Sequence, residues 1–300
     1  MDNYGFYTGK SFDAYEFFGC HTDENGAVFR VFAPAAVRIS VIGEFNGWQD
    51  TPMNKIGDGN FWAVYIEGVK PGQMYKYKIY KPDGSCMDHC DPYGYGMELR
   101  PASASIVRNL YGYEFQDDAW MKKRSNGVAS ALNIYEIHAG SWKKPQNGWY
   151  RYDELATQLV PYLKEYGYNY IELLPIGEHP CDESWGYQCS GFYSPTSRYG
   201  TLDDYKKMID ILHHNDIGVI MDFVPVHFAL DAYALAKFDG TALYEYPHKD
   251  VGNSEWGSCN FMHSRGEVRS FLQSCANYWL KEYHVDGLRM DAISNMIYWQ

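Results

Sequence analysis

Short apolar runs fill the first third of the chain, and a longer strand-and-helix rhythm fills the rest. Tyr75, Tyr77 and Ile79 alternate with Lys76, Lys78 and Tyr80, the two-residue period of a strand with one buried face. Runs at 27–32, 37–42 and 61–66 are rich in β-branched and aromatic residues, and Gly-Val-Lys-Pro-Gly separates the last of them from 74–80. Several short strands with regular turn signals predict a β-sandwich over residues 26–110. Residues 112–130 are polar and mixed, as a linker would be.

From about residue 131 the grammar becomes strand, loop, helix. Residues 132–138 are a continuous apolar run expected to be a buried strand. Residues 153–166 carry Leu155, Leu159, Tyr162, Leu163 and Tyr166 on one helical face, with Gly167 as a stop. Pro161 falls inside that pattern and predicts a kink or a later start. A second strand is expected at 170–175 and a third at 218–224. The helix between them runs from a Thr201 cap to His214, burying Leu202, Tyr205, Ile209 and Leu212. A helix at 267–283 and a buried fourth strand at 285–292 complete the pattern.

Alternating strands and helices imply a parallel sheet, either an open doubly wound sheet or a closed barrel. No Gly-rich nucleotide fingerprint follows a strand. Polar residues suited to chemistry instead end strand after strand: His138, Glu178, Asp222 with His227, then Arg289 with Asp291. A TIM barrel builds its site this way, from several strands at its carboxyl face. The expected fold is therefore a β-sandwich followed by the first half of a (β/α)8 barrel. The expected division is 1–111 for the sandwich, 112–130 for the linker and 131–300 for four barrel strands. Four strands alone would leave two open edges and an uncovered inner face, which invites aggregation. The chain is thus expected to be the amino-terminal part of a longer enzyme, whose remainder supplies the other half of the barrel.

Composition narrows the partners. A net charge of −12 over 300 residues excludes a phosphate backbone as the main ligand, because that needs clustered Lys and Arg. The chain holds 28 Tyr, 15 Phe and 9 Trp. Most belong in a core, but flat rings with polar tips also suit sugars. The amino terminus lacks a basic start followed by an apolar stretch, and no window is long enough to span a membrane. Seven scattered cysteines fit free thiols in a reducing cytoplasm. Cys86, His89 and Cys90 lack the second ligand pair that zinc needs, and no cofactor or metal is expected.

Among the candidate residues, Asp291 lies two positions after Arg289, whose cation would hold a carboxylate ionised as a nucleophile requires. A buried Arg–Asp pair without chemistry is the alternative. Asp222 and His227 could reach one pocket and hold sugar hydroxyls, or satisfy each other in the core. Trp185 and Tyr187 flank Gly186 in a long loop, as a stacking platform or as a loop folded on its own aromatics. The long 228–264 loop favours a functional role. In the front module, Trp48 is either a glycan platform or a plug packed against the barrel, with packing slightly preferred.

Nine stretches carry a resemblance: VIGEFNGW (41–48), DPYG (91–94), IYEIHAGSW (134–142), ELLPIGEHP (172–180), SWGYQ (184–188), FYSPTSRYG (192–200), DFVPVHF (222–228), FDGTALYE (238–245) and GLRMDA (287–292). Together they resemble the α-amylase family of glycoside hydrolases and transglycosylases, and closely its 1,4-α-glucan (glycogen) branching enzymes. Val226 departs from the glycine expected there. The resemblance implies a glycogen-binding-type sandwich before a catalytic barrel. It implies Asp291 as nucleophile, Arg289 orienting it, and Tyr187, Asp222 and His227 holding the sugar beside the scissile bond.

It further implies a retaining scheme in which a glucan 6-hydroxyl, rather than water, takes the segment. The acid and the third carboxylate of that scheme belong to the fifth and seventh strands, outside this sequence, and Glu178 does not match the acid. The alternatives are a debranching or trehalose-releasing hydrolase of the same family, or a truncated, non-catalytic glucan-binding protein.

Overall fold

The computed structural model describes residues 1–124 and 131–298. Two antiparallel sheets form the front module. One has the order Gly19–Thr22, Gly26–Phe32, Phe61–Glu67, Asn54–Ile56; the other has Thr51–Pro52, Arg38–Gly43, Met74–Tyr80, Cys86–His89, with Ser105–Ile106 also on Met74–Tyr80. The expected alternation holds, since Tyr75, Tyr77 and Ile79 are buried. They pack with Phe29, Val31, Ile39 and Val41 in the hydrophobic core. The short strands at 19–22, 51–56, 86–89 and 105–106 lie beyond those the pattern marked.

The first eighteen residues add no strand before Gly19. A helix, Asn3–Thr8, and a turn at Ala14–Glu16 instead clasp the last long helix, Gly266–Glu282. Ser270 Oγ donates to the Phe6 carbonyl at 2.8 Å, Tyr15 N donates to Ser274 Oγ at 3.0 Å, and the Tyr15 hydroxyl donates to Glu282 at 2.6 Å. The front segment is therefore fastened to the second half of the chain.

The second half is a parallel sheet of β1 (Ile134–Ile137), β2 (Tyr170–Leu173), β3 (Gly218–Phe223) and β4 (Gly287–Met290), paired in that order. Between the strands run α1 (Tyr152–Glu165), α2 (Leu202–His214) and α3 (Gly266–Glu282). Pro161 sits inside one continuous α1 that begins at Tyr152, so the helix does not start later as one reading of the pattern required. Proline removes a single N–H, and the buried face of Leu155, Leu159 and Leu163 holds the helix to the sheet regardless. Thr201 caps α2 as expected: its hydroxyl accepts from Asp204 N at 3.3 Å, and Asp204 Oδ2 accepts from Thr201 N at 2.7 Å.

Two strands expected to be buried are not. β1 alternates between exposed and covered positions, and β4 ends in exposed Arg289 and Met290. They are the outer strands of a four-stranded sheet, so β1 and β4 each lack one neighbour, whereas central β3 is almost fully buried. The 112–130 linker is also more structured than its polarity suggested. Residues 125–130 lie outside the described residues, but Asp118–Arg124 is a helix. Trp120 Nε1 donates to Asp286 at 2.9 Å, and the His213 ring sits between Asp117 (2.7 Å) and Asp286 (3.0 Å). This network ties the linker to α2 and to the approach to β4. No helix among the described residues is long and apolar enough to cross a membrane.

Candidate active site

The carboxyl ends of β3 and β4 bring the candidate residues together. Asp222 and Arg289 are register partners on these adjacent parallel strands. Asp291 follows β4, and its N–H donates to the Phe223 carbonyl at 2.9 Å, continuing the ladder one step beyond the strand. One guanidinium nitrogen, Arg289 Nη1, donates to Asp222 Oδ2 at 2.8 Å and to Asp291 Oδ1 at 2.7 Å. The Tyr187 hydroxyl donates to the same Asp222 oxygen at 2.7 Å.

His227 comes from a two-residue strand, His227–Phe228, pinned antiparallel to Cys259–Asn260. That pairing folds the long loop back over the sheet. The imidazole lies 5.3 Å from the Trp256 ring. Ser184, Tyr187, Gln188, His227, Glu255, Trp256, Asp291 and Asn295 share one cavity of about 600 Å³. Two buried polar atoms at this site, Asp222 Oδ1 and His227 Nδ1, have no hydrogen-bond partner among the described residues. A buried unpaired acceptor is costly.

The electrostatics follow from burial and pairing. Burial pushes the Asp222 carboxyl up to about 6, against the downward pull of its bonds from Tyr187 and Arg289. Burial and then the Asp222 acceptor raise the Tyr187 phenol. Burial alone would lower Arg289, but hydrogen bonds to Asp222 and Asp291 outweigh it and raise the guanidinium. Burial lowers His227, so its imidazole favours the neutral form. The site thus holds a neutral imidazole, a phenol and an ion-paired carboxylate around one open space, with the Asp222 carboxylate bonded to the phenol but outside the lining of that space.

Other expected residues lie elsewhere. Trp185 does not share the Tyr187 cavity; it lines a separate one with His138 and Trp149. The turn at Gly186 sends the two rings apart, so they are not one platform. Glu178 is buried and consumed by structure: it pairs with Arg198 at 2.7 Å and accepts from Thr196 at 3.0 Å and from Ser197 at 2.7 Å. Trp48 is exposed at the end of its turn, with φ 61°. The preference for Trp48 as a packed plug is therefore corrected, because the turn projects the ring into solvent. His89 Nδ1 is engaged with the Ala234 carbonyl at 3.0 Å. Among the described residues no group of three or more His, Cys, Asp or Glu could hold a metal ion.

Sequence reasoning missed Trp256, Glu255 and Gln188, which the cavity includes. Gln188 Nε2 donates to the Trp256 carbonyl at 3.0 Å, joining two distant loops. The length of the 228–264 loop was the available signal, but only its folding says which of its residues return to the site.

Comparison with known proteins bears on the family and the fold. Residues 17–94 match the model of carbohydrate-binding module 48 (isoamylase N-terminal domain), and residues 155–250 match the α-amylase catalytic domain. The chain is 46% identical to the 1,4-alpha-glucan branching enzyme GlgB of Fusobacterium nucleatum subsp. nucleatum, over 100% of this chain and 50% of that protein. It is also 46% identical to the GlgB of Bacillus caldolyticus, over 100% of this chain and 46% of that protein. The chain spans about half the length of the curated relatives it matches. Among solved structures, a protein assigned as an alpha amylase from Salmonella typhimurium superposes with TM-score 0.77 at 26% identity, covering 93% of this chain and 44% of that one. Pullulanase from Bacillus acidopullulyticus has the same fold, with TM-score 0.73 at 23% identity over 93% of this chain and 38% of that one.

Proposed function

We propose, for a chain that belongs to the α-amylase family and matches the amino-terminal half of its 1,4-α-glucan branching enzymes, that the whole enzyme makes α-1,6 branches in glycogen. It would cut an α-1,4 link in a glucan chain and pass the cut segment to a 6-hydroxyl. The observation that carries this reading is Arg289 bridging Asp222 and Asp291 at the mouth of the sheet.

In this scheme Asp291 attacks the anomeric carbon and the bond to the leaving glucan oxygen breaks. An acid from the rest of the enzyme protonates that oxygen, leaving a glucosyl ester on Asp291. The incoming 6-hydroxyl then displaces Asp291, giving its proton to the same group, now a base. Arg289 orients Asp291. Asp222 accepts from sugar hydroxyls through its unpartnered oxygen, and Tyr187 and His227 wall the sugar in. The substrate is an α-1,4-glucan. The rest of the barrel, with the acid and a third carboxylate, would come from a longer chain.

We also place the enzyme in the cytoplasm, a reading supported by seven cysteines that are all free thiols. The division into residues 1–111, 112–130 and 131–300 is part of the same proposal. Trp48, exposed on the front module, would serve there as a glucan platform.

A second reading, glucan binding without turnover, rests on the match of residues 17–94 to a carbohydrate-binding module. Incubation of the whole enzyme with amylose separates the readings. A new α-1,6 anomeric proton signal supports branching. Reducing ends without that signal mean a hydrolase. Retarded migration in a glycogen-containing gel with no product means binding alone, and no product without retardation sinks the glucan reading.

A further inference from the structure

The parallel sheet has one covered face and one open face. Ile137, Leu173 and Met221 are register partners in one row, and they are buried in the core with Leu155, Ile209 and Phe271 of the helices. Neighbouring positions along each strand face the other way. There Glu136 on β1, Glu172 on β2, Ile220 on β3 and Gly287 on β4 form a second row of register partners. None of these four is fully buried. Two residues further along β3 and β4, on the same open face, stand Asp222 and Arg289.

Two glutamates therefore lie side by side on adjacent strands, where like charges repel. Burial raises the Glu172 carboxyl, the Glu136 charge raises it further, and Arg289 pulls it down. Among the described residues neither glutamate joins an ion pair, and the Arg289 guanidinium is already held by Asp222 and Asp291. The open face thus carries the carboxylates of Glu136, Glu172, Asp222 and Asp291 against Arg289 alone.

In the open sheet, water reaches the glutamate pair from the uncovered side. In a closed barrel it does not, because side chains from all the strands fill the interior. Apolar Ile134, Tyr170 and Ile220 flank the pair on this face, so its surroundings are already poor in counter-charge. Taking two adjacent carboxylates out of water without a partner is costly.

We propose that the open face of the sheet docks a strand from the rest of a longer chain that points a Lys or Arg at the Glu136–Glu172 pair. That cation neutralises the pair in the barrel interior, one layer beneath Asp222 and Arg289. The curated relatives are about twice as long as this chain, and β1 and β4 each offer an unpaired edge to further strands. The proposal rests on the reading above that a longer enzyme completes the barrel. A proton shared within the pair is the rival, and the two differ in the sign of one measurement.

Glutamine keeps the shape of glutamate and removes its charge. With a cation opposite, Glu136→Gln/Glu172→Gln strands that cation in the interior; without one, it only removes a repulsion. Thermal melting of the whole enzyme reads the difference. The variant's midpoint is expected to fall by about 5 °C or more. In the 300-residue chain alone, the same changes are expected to leave the midpoint unchanged or raise it. An unchanged or raised midpoint in the whole enzyme overturns the cation, and so does an equal fall in the shorter chain, where no facing strand is present. Should the glutamine variant of the whole enzyme not fold, Glu136→Asp/Glu172→Asp decides, because it keeps both charges. Its folding supports the cation; its failure shows that shape is at stake and overturns the cation. Amylose branching by the parent enzyme is measured alongside. Branching together with a raised midpoint removes the cation and leaves the function reading standing, whereas a source that makes no polypeptide longer than this chain overturns both.

Discussion

Asp222 and Arg289, 67 residues apart, are register partners on neighbouring parallel strands, and Arg289 Nη1 donates to Asp222 Oδ2 at 2.8 Å. The pairing places a cation against a carboxylate that burial has pushed up to about 6. The same nitrogen reaches Asp291 at 2.7 Å, so one side chain couples the two carboxylates.

Removing that cation takes away a partner of the ionised Asp222. In Arg289→Met the Asp222 carboxyl is expected to titrate above its value near 6, because only Tyr187 then opposes burial. A ¹³C carboxyl titration by NMR reads this directly. An unchanged or lowered midpoint would show that Arg289 does not support the charge.

Stability should carry the signature of Asp222. Its native pKa, about 6, exceeds the ordinary carboxylate value of 3.8. The native state therefore binds more protons than the unfolded state between these values, and the Asp222 contribution to stability falls as pH rises through that window. Asp222→Asn lacks this loss. Its melting temperature relative to the parent is expected to improve from pH 4 to pH 7 and then level off. A constant difference across that range would contradict the assignment.

Saccharide binding should share the same midpoint. In the proposed role Asp222 would accept from a sugar hydroxyl best when ionised, so maltose affinity is expected to fall as pH drops below about 6, where the carboxyl protonates. Titrations at several pH values check this, with Asp222→Asn as the reference. The reading fails if the parent shows no acid limb.

Glu178 should matter to folding and not to ligands. Its side chain and that of Arg198 are almost completely buried. Glu178→Ala leaves Arg198 with Asp182 as its remaining carboxylate partner, and the loss of a buried pair member costs about 3 kcal/mol or more. Urea denaturation measures the cost. A fully stable variant with weakened sugar binding would return Glu178 to the site.

Gly186→Ala should disturb both cavities at once. It places a Cβ against the Pro175 carbonyl at a φ of 93°, which costs on the order of 1–3 kcal/mol. Relief would shift Trp185 and Tyr187 together, lowering affinity for maltose at the Tyr187 side. Thermal melts and titrations of the variant test both effects, and parental values for both would show that the turn is not constrained.

Much of this architecture was legible in the residues themselves. The alternation at 75–80 and the Thr201 cap depend on neighbours within a few positions, and strand and helix periods are local properties that packing only confirms. Arg289 and Asp291 could be matched because they lie two residues apart at the end of one strand. Tertiary structure alone decided the rest. β1 and β4 have the apolar content of buried strands, yet they are exposed because burial depends on neighbours in space. Trp185 and Tyr187, two residues apart, were separated into different cavities by a positive-φ turn whose direction no period encodes. Glu178 ends in an ion pair with Arg198, and Trp256 reaches His227, because long loops close by contacts between distant residues. Sequence fixes which groups are available, whereas the pairing of strands and the closure of loops decide which of them meet.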